Sequence, residues 1–262
     1  MLTLDGVGKT YRTGAFGGRE LTAVRDVSFT VASGEVVSLI GESGSGKTTL
    51  GRMILRLVDV TQGSITYDGV DISRLRGRGL KEYRRRVQGV FQDPFSCFNP
   101  IFKADRVLSI IRDEFFPGLR AEQWRQRMDG ALAGVRLDPA AVLDKYPHQL
   151  SGGQLQRMLI ARAVLLDIGL LVADEIISML DASTRIDVLN LLGELKAQGL
   201  SVLFITHDLS LGHYISDRTV ILRRGEVVEQ GATGEVFANP QNPYTRTLLA
   251  SVPQLHERWA AQ

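Results

Sequence analysis

The chain has 262 residues, 31 Lys and Arg against 29 Asp and Glu, four His and a single Cys; hydrophobic residues make up 44%. That length allows one large domain or two intimate subdomains, and the composition excludes intrinsic disorder, a collagen-like repeat and a disulfide scaffold. A formal charge of +2 implies no strongly basic surface for nucleic acid, and Cys97 alone can form neither an internal disulfide nor a cysteine metal cluster.

Met1-Leu2-Thr3-Leu4-Asp5 lacks the basic and apolar blocks of a signal peptide. The most apolar stretch, Ala163 to Leu180, contains Asp167, Asp174 and Glu175, too many carboxylates for a bilayer span. The expectation is a chain that is cytosolic, or attached to a membrane only through a partner. Cys97 is expected to be a buried or half-buried small residue.

In chain order, the first 40 residues read as strands, with Val27 to Val31 alternating and Val36 to Ile40 forming a short apolar run bounded by glycine. A glycine-rich loop follows, then a helix over Thr49 to Val58 on the spacing of Leu50, Met53, Ile54 and Leu57. Residues 59–92 read as short strands and turns ending in the strand Val87 to Phe91. From Asp93 to about Gly134 the spacing of Val107, Leu108, Ile110, Ile111 and Phe115 predicts helices. The α/β pattern returns with a strand at Leu170 to Ala173, a helix at Thr184 to Gln198 and a strand at Val202 to Thr206. A hairpin turns at Arg223-Arg224-Gly225-Glu226, and an amphipathic tail follows Asn239.

Gly41-Glu42-Ser43-Gly44-Ser45-Gly46-Lys47-Thr48 fits G-x-x-x-x-G-K-[ST] at every fixed position. In such a loop the glycines let successive N–H groups face the phosphates, the helix that follows adds its positive end, Lys47 supplies a point charge and the Thr48 hydroxyl completes magnesium coordination. The sequence is thus expected to bind a nucleoside triphosphate. Asp174-Glu175 closes an apolar strand, which suits Asp174 to hold magnesium and Glu175 to deprotonate the attacking water. Leu150-Ser151-Gly152-Gly153-Gln154 predicts a second helix end capped by Ser151, a second anion site.

With these segments in this order, nearly the whole chain resembles the ATP-binding cassette (ABC) ATPases. The resemblance implies a phosphate-loop α/β core (1–92 and 159–238) carrying an N-terminal antiparallel β-subdomain, an inserted helical subdomain (93–158) and a short tail (239–262). It implies ATP and Mg2+ as cofactors, with two ATP molecules sandwiched in a head-to-tail dimer. Tyr11, Gly41, Ser43, Gly44, Ser45, Gly46, Lys47, Thr48 and Thr49 would hold the nucleotide from one subunit. Ser151, Gly152, Gly153, Gln154 and Asp181 would meet it from the other. Thr48, Gln92 and Asp174 match the magnesium positions; Glu175, Gln92 and the switch histidine His207 match the hydrolytic ones. The family's usual Pro-Thr or Pro-Val after the catalytic Glu is replaced by Ile176-Ile177, and its common Pro before the strand by Ile168.

Three segments resemble the dipeptide, oligopeptide and nickel importers. They are Val90-Phe91-Gln92-Asp93-Pro94-Phe95-Ser96 with Phe98-Asn99-Pro100, the tail Asn239-Pro240-Gln241-Asn242-Pro243-Tyr244-Thr245, and the insertion Gly14 to Arg19, which is similar to the second of their two unequal ATPases. The extended C-terminal region of many such subunits is short here, without cysteines for an iron–sulfur cluster. The implied partners are two transmembrane permeases, a second ATPase subunit (a heterodimer is favoured from the resemblance, and a homodimer stays open) and, indirectly, an extracytoplasmic binding protein, at the cytoplasmic face of the membrane. Peptide, nickel and small-glycoside import stay open, as does the ATPase of a carbon–phosphorus lyase assembly, which shares the tail and the size. A DNA-repair or translation ABC protein has only Arg84-Arg85-Arg86 in its favour, and a solvated face explains that run better.

Overall fold

Runs of β-branched and aliphatic residues broken by glycine turns build two sheets, and the longest apolar runs become the strands buried on both faces. The structure, a computed structural model, describes residues 1–13 and 18–251. Strands β1 (Leu2–Thr13), β2 (Arg19–Val31) and β3 (Val36–Ile40) lead into α1 (Lys47–Ile54). Strands β4 (Gln62–Tyr67) and β5 (Val70–Asp71), helix α2 (Gly77–Arg86) and strand β6 (Val87–Val90) follow. Then come α3 (Arg106–Phe115), α4 (Ala121–Gly134), α5 (Pro139–Val142) and α6 (Gly152–Val164). The chain continues with β7 (Leu170–Asp174), α7 (Ala182–Ala197), β8 (Ser201–Thr206) and α8 (Leu209–Ile215). It closes on β9 (Arg218–Arg223), β10 (Glu226–Ala232), α9 (Thr233–Ala238) and α10 (Pro243–Ala250).

Among the described residues, β2-β1-β4-β5 form an antiparallel sheet and β10-β9-β3-β8-β7-β6 a second one. In the second sheet β9, β3, β8, β7 and β6 run parallel, and β10 pairs antiparallel at one edge. This is the α/β fold with an antiparallel β-subdomain that the sequence predicts. Strands β3, β7 and β8 are buried at every position. The helices between β6 and β7 bury Leu108, Trp124, Leu132, Leu155 and Leu159 in the same cluster as Leu171 and Phe204 of the sheet. At the other edge, the Arg162 guanidinium of α6 donates to the Gly89 carbonyl of β6 at 2.8 Å.

Phe204, on β8 between β3 and β7, is fully buried. Phe204→Ala removes a ring that the packed strands cannot replace. It is expected to lower unfolding free energy by about 3–5 kcal/mol, read as an earlier urea midpoint at unchanged slope.

The structure corrects four local expectations. Residues 77–86 form a helix rather than strands and turns; Tyr83 anchors it, its hydroxyl donating to the Ile54 carbonyl at 2.5 Å. Arg84, Arg85 and Arg86 occupy its last turn, where the helix dipole favours cations; Arg85 stacks over Phe116 and Arg86 over Tyr67. Helix α1 stops at Ile54, because Arg56 takes a left-handed φ of 54°, and Leu57 is left exposed. Ile110 faces solvent while Leu108 and Ile111 carry the apolar face of α3. Cys97, expected buried or half-buried, is exposed, because it follows Pro94 in a short 3-10 turn on the surface. Of the insertion 14–19, residues 14–17 lie outside the described residues.

Candidate functional site

The parallel strands β3, β8, β7 and β6 are neighbours in that order, so the segments leaving their carboxyl ends stand side by side. In an open α/β sheet this is the edge where ligands collect. The phosphate loop leaves β3, His207 follows β8, Asp174-Glu175 closes β7 and Gln92 follows β6. A cavity of about 690 Å³ opens there, lined by Gly41, Glu42, Ser43 and Thr48 from the loop and by Gln92, Asp174, Glu175 and His207 from the other three ends.

Gly46 stands at the N-terminus of α1 with φ 105°, and a Cβ there would lie 2.5 Å from the Ala23 carbonyl oxygen, so only glycine fits both its torsion and its space. The buried Lys47 ammonium donates to the Gly41 and Glu42 carbonyls at 2.6 and 2.9 Å. Burial pushes its pKa down, against the pull of Glu175, Asp174 and Glu42. A desolvated cation held by two carbonyl oxygens and, at 3.5 Å, by the Ser45 hydroxyl is poised for an anion.

The Thr48 hydroxyl donates to Asp174 Oδ1 at 3.4 Å. Burial raises the pKa of that carboxyl; the Thr48 bond opposes this and the neighbouring Glu175 adds to it. A cation placed between hydroxyl and carboxylate would relieve that cost. Among the described residues no group of three His, Cys, Asp or Glu forms a metal cage. One hydroxyl and one carboxylate beside a phosphate site suit magnesium, which takes most of its ligands from phosphates and water.

Glu175 adopts a left-handed φ of 51°, and its N–H donates to the Ile205 carbonyl at 2.9 Å. That turn brings Oε1 to 3.1 Å from Nδ1 of His207. An acid and an imidazole in contact at the rim of the cavity can orient and deprotonate a water.

The other predicted residues lie elsewhere. The Ser151 hydroxyl accepts the Gln154 N–H at 3.2 Å while the Gln154 side chain accepts the Ser151 N–H at 2.8 Å, a reciprocal cap on α6. A Cβ on Gly153 would lie 2.5 Å from the Thr184 methyl, which keeps this helix end close to α7. Asp181 caps α7, accepting the Thr184 N–H at 3.0 Å and the Ser183 hydroxyl at 2.6 Å; these bonds hold its carboxyl well below the usual carboxylate range. Neither capped end lines the cavity, nor does Tyr11, which sits on β1 opposite Leu21 with Lys9 Nζ 5.1 Å from its ring. Arg52, Phe91, Asp93 and Leu248 line the cavity as well. Sequence reasoning assigned none of the four to the nucleotide site, although Phe91 and Asp93 stand in the importer-like segment around Gln92. Asp93 and Phe91 flank the predicted Gln92, a signal that could have found them.

The ABC transporter family matches residues 24–178 of this chain. The chain belongs to that family. A second family, described as the oligopeptide/dipeptide transporter C-terminal region, matches residues 228–262 of this ABC ATPase. The oligopeptide transport ATP-binding protein OppF of Streptococcus mutans is 42% identical over 90% of this chain and 76% of its own. OppF of Streptococcus pyogenes is 42% identical over 90% and 78%. Among solved structures, the dimeric ATP-binding cassette MJ0796 in a post-hydrolysis state with ADP and Pi superposes with a TM-score of 0.78. It is 30% identical and covers 89% of this chain and 99% of its own. CbiO1 of Clostridium perfringens, part of the cbiONQ transporter complex, also gives 0.78, at 25% identity over 96% and 95%. As an ABC ATPase the protein binds ATP and couples its hydrolysis to transport.

Proposed function

We propose that this ABC ATPase is the ATP-hydrolysing subunit of an importer for oligopeptides or dipeptides, working beside two transmembrane permeases and a second ATPase. The observation that carries the reading is the pairing of a cavity lined by the phosphate loop, Gln92, Asp174, Glu175 and His207 with a tail, residues 228–262, that matches the oligopeptide/dipeptide transporter C-terminal region. The 42% identity to two oligopeptide transport subunits supports it.

In the proposed cycle the backbone of Gly41 to Thr49 and Lys47 bind the β- and γ-phosphates, and Tyr11 stacks on the adenine. Magnesium would sit between Thr48 and Asp174, with Gln92 reaching it from β6, and would neutralise phosphate charge. Glu175 takes the proton of the attacking water while His207, in contact with it, holds the γ-phosphate side of the cavity. Ser151, exposed, caps a helix end that continues through half-buried Gly152, buried Gly153 and half-buried Gln154, outside this chain's own cavity. Together with Asp181 they suit a second subunit's ATP; the dimeric state of the similar cassette MJ0796 supports this reading. ATP then favours the closed dimer because only that state completes both sites.

No helix among the described residues is long and apolar enough to cross a membrane, so attachment to its cytoplasmic face would run through the permeases. Phe95, Ile101 and Phe102, exposed just after Gln92, are suited to carry that contact. The substrate would reach the permeases from an extracytoplasmic binding protein without touching this chain.

The test is to tag the chain, purify it gently from detergent-solubilised membranes and identify its companions by mass spectrometry. Two multi-span permeases and a second ATPase are expected, together with loss of labelled-peptide uptake when the gene is deleted. A soluble assembly without permeases would overturn the importer reading.

A further inference from the structure

The segment Asn239-Pro240-Gln241-Asn242-Pro243-Tyr244 takes no part in the cycle above, yet the structure ties it to the phosphate loop. Glu229 on β10 accepts the N–H groups of Gln241 and Asn242 at 2.6 and 3.1 Å. The Asn242 side chain donates to the Val228 carbonyl at 3.2 Å and caps α10 by accepting the Tyr244 N–H at 2.9 Å. The start of α10 is therefore fixed to the hairpin, and both prolines stand where no N–H is needed.

This anchoring delivers Tyr244, only 7% exposed, to the phosphate loop. Its hydroxyl accepts the Glu42 N–H at 3.4 Å, while the Arg223 guanidinium lies 4.6 Å from its ring centroid. Leu248, one turn further along α10, stands in the cavity wall with Glu42 and His207. The Glu42 carbonyl in turn holds Lys47 Nζ at 2.9 Å. One residue of the loop thus has its N–H held by the C-terminal helix and its carbonyl held by the phosphate-binding lysine.

We propose that Tyr244 is a positioning residue for the phosphate loop: it fixes the Glu42 peptide, and through it Lys47, in the arrangement that receives the nucleotide. Docking of α10 and binding of ATP then strengthen each other, since coupling between two sites is reciprocal. The proposal rests on the chain being an ATPase, and it assigns the tail a role inside the nucleotide site.

Tyr244→Phe keeps the ring and its contact with Arg223 and removes only the hydroxyl. In the full chain, calorimetric titration with Mg-ATP is expected to show the dissociation constant raised about threefold to tenfold, the effect of one hydrogen bond. Circular dichroism should stay unchanged. In the wild type, ATP should slow amide exchange in α10, and in the Phe variant that slowing should be lost. A purely structural anchor would move neither readout. A Phe variant matching a wild type that binds ATP, in both affinity and ATP-dependent protection, overturns the proposal and leaves the ATPase standing. Failure of the wild type itself to bind ATP overturns both.

Discussion

Glu175→Gln is expected to bind ATP as the wild type does and to lose turnover by about 10²–10⁴-fold, the worth of a positioned general base. Glutamine has nearly the same shape, so the left-handed turn at position 175 and the N–H bond to Ile205 persist. The phosphate loop and Lys47 are untouched, so affinity survives. What disappears is the carboxylate that can take the water's proton beside His207 Nδ1, 3.1 Å away. Phosphate release and ATP titration on one preparation decide it. Unimpaired turnover would remove Glu175 from this role.

Ser151→Arg should be as damaging to turnover by a different route. Ser151 is exposed and lies outside the cavity that the phosphate loop lines, so a large cation there leaves the isolated chain's ATP affinity nearly intact. In the proposed head-to-tail dimer the same cation would stand where the partner's γ-phosphate belongs, and closure would fail. Loss of the helix cap accompanies the change and is worth about 1 kcal/mol, so Ser151→Ala serves as the control for stability. Equal loss of affinity in the monomer would place Ser151 in its own chain's site and rule out the sandwich.

The phosphate loop, the acid pair and the succession of the main strands along the chain were legible because they are written in local spacing. Gly41 to Thr48 needs eight consecutive residues, and Asp174-Glu175 stands at the end of an unbroken apolar run. That Gln92, Asp174, Glu175 and His207 share one cavity follows from four parallel strands being neighbours. Helix α2 escaped because its ten residues carry only Leu80 and Tyr83 as large apolar positions among five cations. The end of α1 escaped because an arginine, rather than glycine or asparagine, adopts the left-handed turn at position 56. Arg52 and Leu248 in the cavity wall depend on how distant elements pack, which no local pattern encodes. Tyr11 illustrates the converse: a motif position can be recognised while its place in this cavity is not seen.

The bond from Arg162 to the Gly89 carbonyl bears on solubility as much as on the site. Among the described residues strand β6 ends the sheet and pairs with β7 alone, so its outer backbone groups form a template onto which another chain could add a strand. The guanidinium occupies one of those acceptors, and α6 packs alongside it. Helix α6 therefore covers part of the outer backbone of β6 and disfavours edge-to-edge pairing there.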